Sequence, residues 1–185
     1  MNNRMPRRPD VTKVDLVGGS EIRALEVIAY DPGWPALFGE HERRLRTVLQ
    51  TTADIEHIGS TSVPGLAAKP IIDILVAVDD ITAEEGYLDP ILAAGYVLRV
   101  REPGHRLVRT PARDVHVHIY DRHAEAVTNY LLFRDRLRSD ADDRALYANT
   151  KRDLITHGFT DMNAYSDAKT DVVLAILARA RAATN

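Results

Sequence analysis

The segment that most restricts the fold is PIIDILVAV, residues 70–78, which is apolar throughout except for one carboxylate, Asp73. A short run rich in β-branched residues predicts a strand, and apolar residues on both strand faces predict that neighbouring structure covers each face. Asp73 shares a face with Ile71 and Leu75. Because an unpaired buried carboxylate is costly, we expect Asp73 to have a cationic partner or a metal ion.

The patterns around this strand predict an α+β domain. Short alternating or apolar segments predict strands at 22–30, 54–58, 70–78, 96–100, 105–110 and 114–120. Apolar residues at three- and four-residue steps predict helices from Trp34 to Leu49, then near 122–138, 140–157 and 161–182. Strands followed by helices favour a mixed or antiparallel sheet with helices packed against it and a helical C-terminal subregion.

The length of 185 residues suits a single core. Residues 1–20 combine Arg, Pro, Asn and Gly with little periodicity, so we predict a mobile N-terminal tail followed by one domain over 21–185. The chain has no cysteine, which excludes disulfides, thiolate zinc sites and thiol nucleophiles.

Charge and hydropathy restrict the partners. A net charge of −3 gives no overall attraction to nucleic acid or to an anionic membrane, so a phosphorylated partner must be held by a local site. We find no apolar run long enough to span a bilayer and no secretory signal, and therefore expect a cytoplasmic protein without a membrane partner. Nucleic acid is not an expected partner, and the sequence does not indicate an oligomeric state.

A glycine-serine loop, residues 59–65, directly precedes the strand that carries Asp73. Gly59 allows a ligand to approach the backbone closely, and the successive amides of such a loop can form an anion-binding nest. The hydroxyl groups of the loop are further hydrogen-bonding groups. The predicted phosphate-binding residues of the loop are Gly59, Ser60, Thr61 and Ser62.

The run HIGSTSVPGLAAKPIIDILV resembles the signature of the GrpB family, whose members resemble nucleotidyltransferases of the DNA polymerase beta superfamily. The likeness covers most of residues 25–180 and includes YDPGWPALFGEH, HVHIY and YANTKRDL. It implies a nucleotidyltransferase-like fold in which a Gly-Ser loop holds a nucleoside triphosphate and an Asp-x-Asp pair on the next strand holds two magnesium ions. Gly59 and Ser60 match that loop, and Asp73 matches the first acid, which makes Asp73 the candidate catalytic residue.

The second acid of that pair is replaced by Leu75. Asp114, His116 and His118 alternate with apolar residues, so they share one strand face, and two histidines so spaced can share one metal ion. A site built from Asp73, His116 and His118 would favour zinc, manganese or iron over magnesium. The alternative is a solvated strand face with polar alternation. The predicted cofactor is a divalent metal, with magnesium, manganese and zinc as candidates.

Two pairs in the C-terminal helices repeat one spacing, because Tyr147 precedes Lys151 by four residues and Tyr165 precedes Lys169 by four. Each pair therefore lies on one helical face. If those faces meet the loop, Lys151 and Lys169, together with Lys69, would neutralise phosphate charge, and the two tyrosines would stack on a base. The alternative is an amphipathic face whose lysine stems cover apolar surface.

Three functions follow from these patterns. The first is a protein that binds a nucleoside triphosphate with a divalent metal and transfers a nucleotidyl group to an unidentified acceptor. The second is a regulatory module that binds a nucleotide or another phosphorylated metabolite without turnover, which Leu75 favours. The third is a metal-dependent hydrolase that uses His116 and His118, with the loop serving only as structure.

Overall fold

The computed structural model describes residues 8–19, 26–49, 53–156 and 168–184, and within these ranges six strands form one mixed sheet. The strands are β1 (Asp15–Leu16), β2 (Asp54–Ile58), β3 (Ile72–Val78), β4 (Val97–Glu102), β5 (His105–Arg109) and β6 (Val115–Asp121). Their order across the sheet is β1-β4-β5-β6-β3-β2. The β3–β6 pair is parallel and the other pairs are antiparallel. The predicted α+β class is confirmed.

Five α-helices accompany the sheet in the described part of the chain: α1 (Trp34–Val48), α2 (Leu88–Ala93), α3 (Glu125–Ser139), α4 (Ala141–Thr156) and α5 (Thr170–Thr184). The last helix begins later than the sequence predicts, and residues 157–167 lie outside the described ranges. In the described ranges, none of the helices combines the length and the apolar character that a membrane crossing requires.

The main core lies between one face of the sheet and the pair α1 and α2. Trp34 and Leu45 of α1 are buried there, as the apolar spacing of that helix predicts. They pack with the β3 residues Ile72, Ile74 and Val76 and with facing residues of the neighbouring strands. Alternation along β3 therefore turns Asp73 and Leu75 toward the opposite face.

A second, smaller core joins the loop after β2 to the C-terminal helices. It contains Val63, Leu66, Leu137, Tyr147 and Ile176. Asp143 of α4 links these helices further, because its carboxylate accepts hydrogen bonds from Arg136 of α3 and Arg179 of α5. The helical subregion consequently packs against the glycine-serine loop, on the side of the sheet that carries Asp73.

The strand predicted at 22–30 is not present over residues 26–30. Ile28 forms an isolated antiparallel bridge with Ala68, and the two residues exchange both backbone hydrogen bonds. The chain then turns at Asp31, whose carboxylate accepts the Gly33 N–H, and enters α1. On the C-terminal side of Ile28, only Ala29 and Tyr30 precede this turn, too few residues to extend the pairing. Residues 22–25 lie outside the described ranges.

Residues 8–19 contact the sheet, whereas we predicted a mobile tail over residues 1–20. Within this segment β1 pairs with β4, and Asp10 Oδ1 lies 2.5 Å from a guanidinium nitrogen of Arg106. Arg106 is only 1 % exposed, so it needs a counterion near it, and Asp10 supplies one. Residues 1–7 and 20 lie outside the described ranges.

Candidate functional site

Gly59 and Asp73 are in direct contact where β2 ends. Ile58, the last residue of β2, pairs with Asp73 across the β2–β3 ladder. Gly59 has φ 70° and ψ −175°, a backbone conformation almost confined to glycine. A Cβ at this position would lie 2.5 Å from Asp73 Oδ2. The glycine therefore allows the loop to close against the carboxylate, and the partly exposed surface formed by Gly59, Ser60 and Asp73 is the candidate cleft.

Asp73, His116 and His118 come together on the strand face opposite the main core. Parallel pairing of β3 with β6 places Asp73 beside His116 and Leu75 beside His118. Asp73 Oδ1 lies 3.7 Å from His116 Nδ1 and 3.5 Å from His118 Nε2. The side chains are 30 %, 23 % and 17 % exposed, respectively, so solvent and ligands can reach them. One ligand atom from each residue lies within 4.8 Å of the others.

The carboxyl group of Asp73 stays ionised in this cluster. Burial by itself raises its pKa, but interaction with the neighbouring His118 and His116 rings and with the Lys169 ammonium group outweighs burial and lowers the pKa below its usual range. Asp73 can therefore serve as an anionic ligand.

Two residues that the sequence analysis did not single out extend the site. His105 Nε2 lies 3.2 Å from His118 Nδ1, and His105 Nδ1 lies 2.6 Å from Glu102 Oε1. The His105 ring also stacks on Tyr120, with 4.4 Å between ring centroids. Burial lowers the pKa of His105 to about 4. The three-residue spacing of Glu102 and His105 across a tight turn was visible in the sequence, but their approach to His118 depends on the β5–β6 register.

The hydroxyl groups of Thr61 and Ser62 donate to backbone carbonyls rather than pointing into the cleft. Thr61 donates to the Ile71 carbonyl, and Ser62 donates to the Gly59 carbonyl. Both residues are buried. We therefore reassign their side chains from phosphate binding to holding the loop in shape, and the backbone of the loop and Ser60 remain as predicted ligand-binding groups.

His57 is neutral and stabilises this loop. Its Nε2 lies 3.1 Å from Thr61 Oγ1, and its ring stacks on Phe38 with 4.8 Å between centroids. Burial lowers the pKa of His57 to about 4. Because the Thr61 hydroxyl proton is used by a carbonyl, this hydroxyl accepts from His57 Nε2–H.

Lys151 lies against the loop, beside Ser60. This position is compatible with the phosphate-binding role predicted for it. Its Nζ lies 3.2 Å from Ser60 Oγ and donates to the Ala67 carbonyl at 2.6 Å. The side chain is 5 % exposed. Burial, followed by repulsion from Lys169 and Lys69, lowers the pKa of Lys151 to about 7. The structure thus brings Lys69 and Lys169 within electrostatic reach of Lys151, which lies beside Ser60.

Tyr147 lies in the smaller core and not in the cleft. It is 6 % exposed, meets Phe133 edge to face at 5.1 Å, and has Lys151 Nζ 4.9 Å from its ring centroid. We therefore reassign Tyr147 from base stacking to packing and to a cation–π contact with Lys151. Tyr165, the other predicted stacking residue, lies outside the described ranges.

Two arginines of α3 hold the loop from the helical side. Arg138 Nε donates to the Ser62 carbonyl at 2.9 Å, and Arg134 donates to the His57 carbonyl at 3.2 Å and to Glu56 at 2.7 Å. The sequence analysis missed both arginines. Their four-residue spacing puts them on one helical face, which was the available signal.

Comparison with known proteins gives consistent matches over most of the chain. The family model described as GrpB protein matches residues 24–179. A UPF0157 protein of Streptomyces coelicolor is 63 % identical over 182 residues, which covers 98 % of each chain. The crystal structure of the conserved protein GrpB from Enterococcus faecalis matches with a TM-score of 0.74 and 32 % identity, over 84 % of this chain and 96 % of that one. The Cid1 poly(U) polymerase matches with a TM-score of 0.44 and 15 % identity, over 68 % of this chain and 45 % of that one.

Proposed function

The chain belongs to the GrpB family, and we propose that its cleft binds a nucleoside triphosphate, or a phosphorylated small molecule of similar charge, together with one divalent metal ion. The single observation that carries this proposal is the convergence of His116 and His118 on Asp73, the acid that also contacts Gly59. A metal-ligand set and a loop suited to anions therefore border the same space. The family resemblance to nucleotidyltransferases supports a nucleotide as the ligand.

The residues at the cleft fit a transition metal. In a tetrahedral site with bonds near 2.1 Å, neighbouring ligand atoms lie about 3.4 Å apart. Asp73 Oδ1 lies at comparable distances from His118 Nε2 and His116 Nδ1, 3.5 Å and 3.7 Å. One carboxylate with two imidazoles suits zinc, manganese or iron better than magnesium. An ion held there would neutralise phosphate charge and polarise a phosphoryl oxygen.

The chain supplies further positive charge on the other side of the loop. Lys151 Nζ contacts the Ser60 hydroxyl, and Lys169 interacts electrostatically with Asp73. Burial lowers the pKa values of both lysines, so both ammonium groups are poorly solvated. An anionic ligand next to these lysines would favour their charged forms, in opposition to burial. The lysines therefore favour a polyanion over a neutral ligand.

Binding without turnover is the second candidate function, and Leu75 favours it. Leu75 stands where the nucleotidyltransferase pattern has its second acid, and it is 1 % exposed beside His118. Two-metal phosphoryl transfer places the two ions about 4 Å apart with ligands that bridge them. An apolar side chain at this position removes one bridging ligand. Transfer would then proceed with one metal, or the cleft would act as a sensor of its ligand.

The test is a thermal-shift and calorimetric screen of nucleoside triphosphates with magnesium, manganese and zinc. A ligand at 100 times its dissociation constant stabilises the fold by about 2.7 kcal/mol, which gives a clear shift in melting temperature. We expect the largest shift with a triphosphate plus manganese or zinc, and no such shift for Asp73→Asn. Nucleotide affinity that does not change with metal in wild type and Asp73→Asn alike would contradict the proposal.

Two further readouts separate the candidate functions. Metal-dependent pyrophosphate release distinguishes nucleotidyl transfer from binding without turnover. Tight zinc binding with no contribution from any nucleotide would instead support the hydrolase that uses His116 and His118.

A further inference from the structure

A row of four polar side chains crosses the sheet from Asp73 through His118 and His105 to Glu102 at the end of β4. His118 Nε2 lies 3.5 Å from Asp73 Oδ1, and Nδ1 of the same ring lies 3.2 Å from His105 Nε2. The remaining ring nitrogen of His105, Nδ1, lies 2.6 Å from Glu102 Oε1. Both imidazoles are thus engaged through both of their nitrogens.

The carboxylate of Glu102, at the end of this row, determines which nitrogen of each ring carries the proton. An ionised Glu102 can only accept, so His105 must donate through Nδ1. His105 is 9 % exposed and stacks on Tyr120, surroundings that favour the neutral ring. A neutral ring that donates through Nδ1 accepts through Nε2. His118 therefore donates through its own Nδ1, and its Nε2 faces Asp73 with a lone pair.

We infer that Glu102 and His105 are positioning residues that hold His118 in the Nδ1–H tautomer and thereby present its Nε2 lone pair to a metal ion beside Asp73. The inference rests on the proposed function, because it assigns His118 Nε2 as a metal ligand. Neither Glu102 nor His105 is among the three metal-ligating residues, and both act through the His118 ring. A carboxylate that orients a ligating histidine is a general feature of metal sites, and here a second imidazole extends it.

The opposite tautomer would close the site. His118 with its proton on Nε2 would direct that proton at Asp73 Oδ1, and a proton would occupy the space that a cation needs. With the proton on Nδ1, two electron-pair donors face each other across 3.5 Å, and the His116 nitrogen lies 3.7 Å from the same oxygen. Such an arrangement attracts a cation. The positioning pair thus keeps the site open for a metal at neutral pH.

The first measurement needs no metal. Long-range proton–nitrogen correlation spectra of metal-free protein with nitrogen-labelled histidine, at slightly alkaline pH, identify the protonated nitrogen of each ring. His118 is assigned by comparison with His118→Asn. We expect the proton of His118 on Nδ1 in wild type, and a mixture of tautomers in Glu102→Gln and His105→Phe.

The second measurement is zinc affinity by competition with a chromophoric chelator. We expect Glu102→Gln and His105→Phe to weaken binding about 10- to 100-fold. His105→Gln should keep most of the affinity, because its side-chain carbonyl can accept from His118 Nδ1–H. Glu42→Gln removes the same charge from α1, where Glu42 pairs with Arg46, and should bind zinc like wild type.

The outcomes separate this inference from the proposed function. A His118 proton on Nε2 in wild type would overturn the inference, as would tautomers and zinc affinities that do not change in Glu102→Gln and His105→Phe. If the tautomers respond as expected but wild type binds neither zinc nor manganese, the hydrogen bonds from Glu102 to His118 are correct. In that case the assignment of His118 as a metal ligand fails together with the proposed function.

Discussion

Arg106 and Asp73 are both charged side chains on inner strands of the sheet, and their surroundings differ in one respect. Arg106, at 1 % exposed, donates to Asp10 at 2.5 Å, to Glu84 at 2.6 Å and to the Glu102 carbonyl at 2.7 Å. Its charge is compensated by carboxylates of the chain itself. Asp73 instead faces two imidazole nitrogens at 3.5 Å and 3.7 Å, beyond a short hydrogen bond.

This difference separates a charge that serves the fold from one that is available to a ligand. The Arg106 cluster is complete, so removal of the arginine leaves two carboxylates without their main partner. In the proposed function, a further cation completes the Asp73 cluster. We therefore expect substitutions at the Arg106 cluster to affect mainly stability and substitutions at the Asp73 cluster to affect mainly binding.

Arg106→Met is expected to destabilise the protein most. Because Asp10 and Glu84 would lose their buried partner, the free energy of unfolding should fall by about 3–5 kcal/mol. Urea denaturation measures the loss. Arg106→Met/Asp10→Asn should recover part of it by removing the carboxylate charge that has lost its partner at Asp10, whereas Glu84 keeps its ion pair with Arg101. A loss below about 1 kcal/mol would show that this cluster does not hold residues 8–19 against the sheet.

Gly59→Ala is expected to cost about 3 kcal/mol, because it combines a backbone conformation that L-residues rarely adopt with a Cβ 2.5 Å from Asp73 Oδ2. Gly65→Ala is the matched control, since Gly65 also has a positive φ, of 77°, but open space around its Cβ position. That control should cost about 1 kcal/mol. Equal losses in thermal or urea unfolding would contradict the close contact between loop and acid.

Lys151→Met is expected to stabilise the protein by about 1 kcal/mol near neutral pH, because methionine keeps the stem and removes a desolvated ammonium. The pKa of Lys151 is lowered to about 7 in the fold from 10.5. Between these values the unfolded chain binds more protons, so the stability of wild type should rise with pH. Lys151→Met should lack this part of the rise. Melting curves across the interval test both statements.

The same lysine should make triphosphate binding depend on pH. A polyanion favours the charged form, so wild-type affinity should fall roughly tenfold for each pH unit well above 7, as the free protein loses the Lys151 proton. Lys151→Met should bind weakly, with a flat profile over the same range. Titration calorimetry at several pH values provides the comparison, and a flat wild-type profile would remove Lys151 from the ligand site.

Asp73→Asn is expected to have the smallest effect on stability, less than about 1 kcal/mol in the presence of a chelator, because asparagine keeps the shape. The loss of attraction to the neighbouring rings and Lys169 is largely offset by the loss of the cost of burying the charge. Its effect on metal-dependent stabilisation should be complete. If Asp73→Asn melts much earlier in chelator yet keeps the wild-type shift with nucleotide and manganese, Asp73 is a structural acid and the central assignment is wrong.

The fold and the centre of the site were accessible from the sequence because they depend on local patterns. Alternation and apolar runs located β2 to β6, and strand periodicity put His116 and His118 on one face. The direct succession of loop and strand brought Gly59 to Asp73. Each of these inferences uses residues that are close in the chain, or a period that one element fixes by itself.

The remainder depends on tertiary registers that no local pattern specifies. His105 reaches His118 only through the antiparallel β5–β6 pairing, in which His105 lies opposite Tyr120 and Leu107 opposite His118. A shift of one residue would turn His105 to the other face. The same limit applies to helices. Periodicity predicted which helical face carries Tyr147, but not that Phe133 and the loop bury that face.

The parallel β3–β6 pair also determines when the site can form during folding. Asp73 and His116 are adjacent in the sheet, but α2 and the β4–β5 hairpin lie between their strands along the chain. Pairings this distant in sequence form slowly, because the conformational entropy of a long loop is lost before the stabilising contacts form. His116 and His118 alone, on an unpaired strand, lack the carboxylate that completes the set. In a refolding experiment, full metal affinity should therefore appear only with the last strand pairing, and a metal-sensitive dye would time the completion of the sheet.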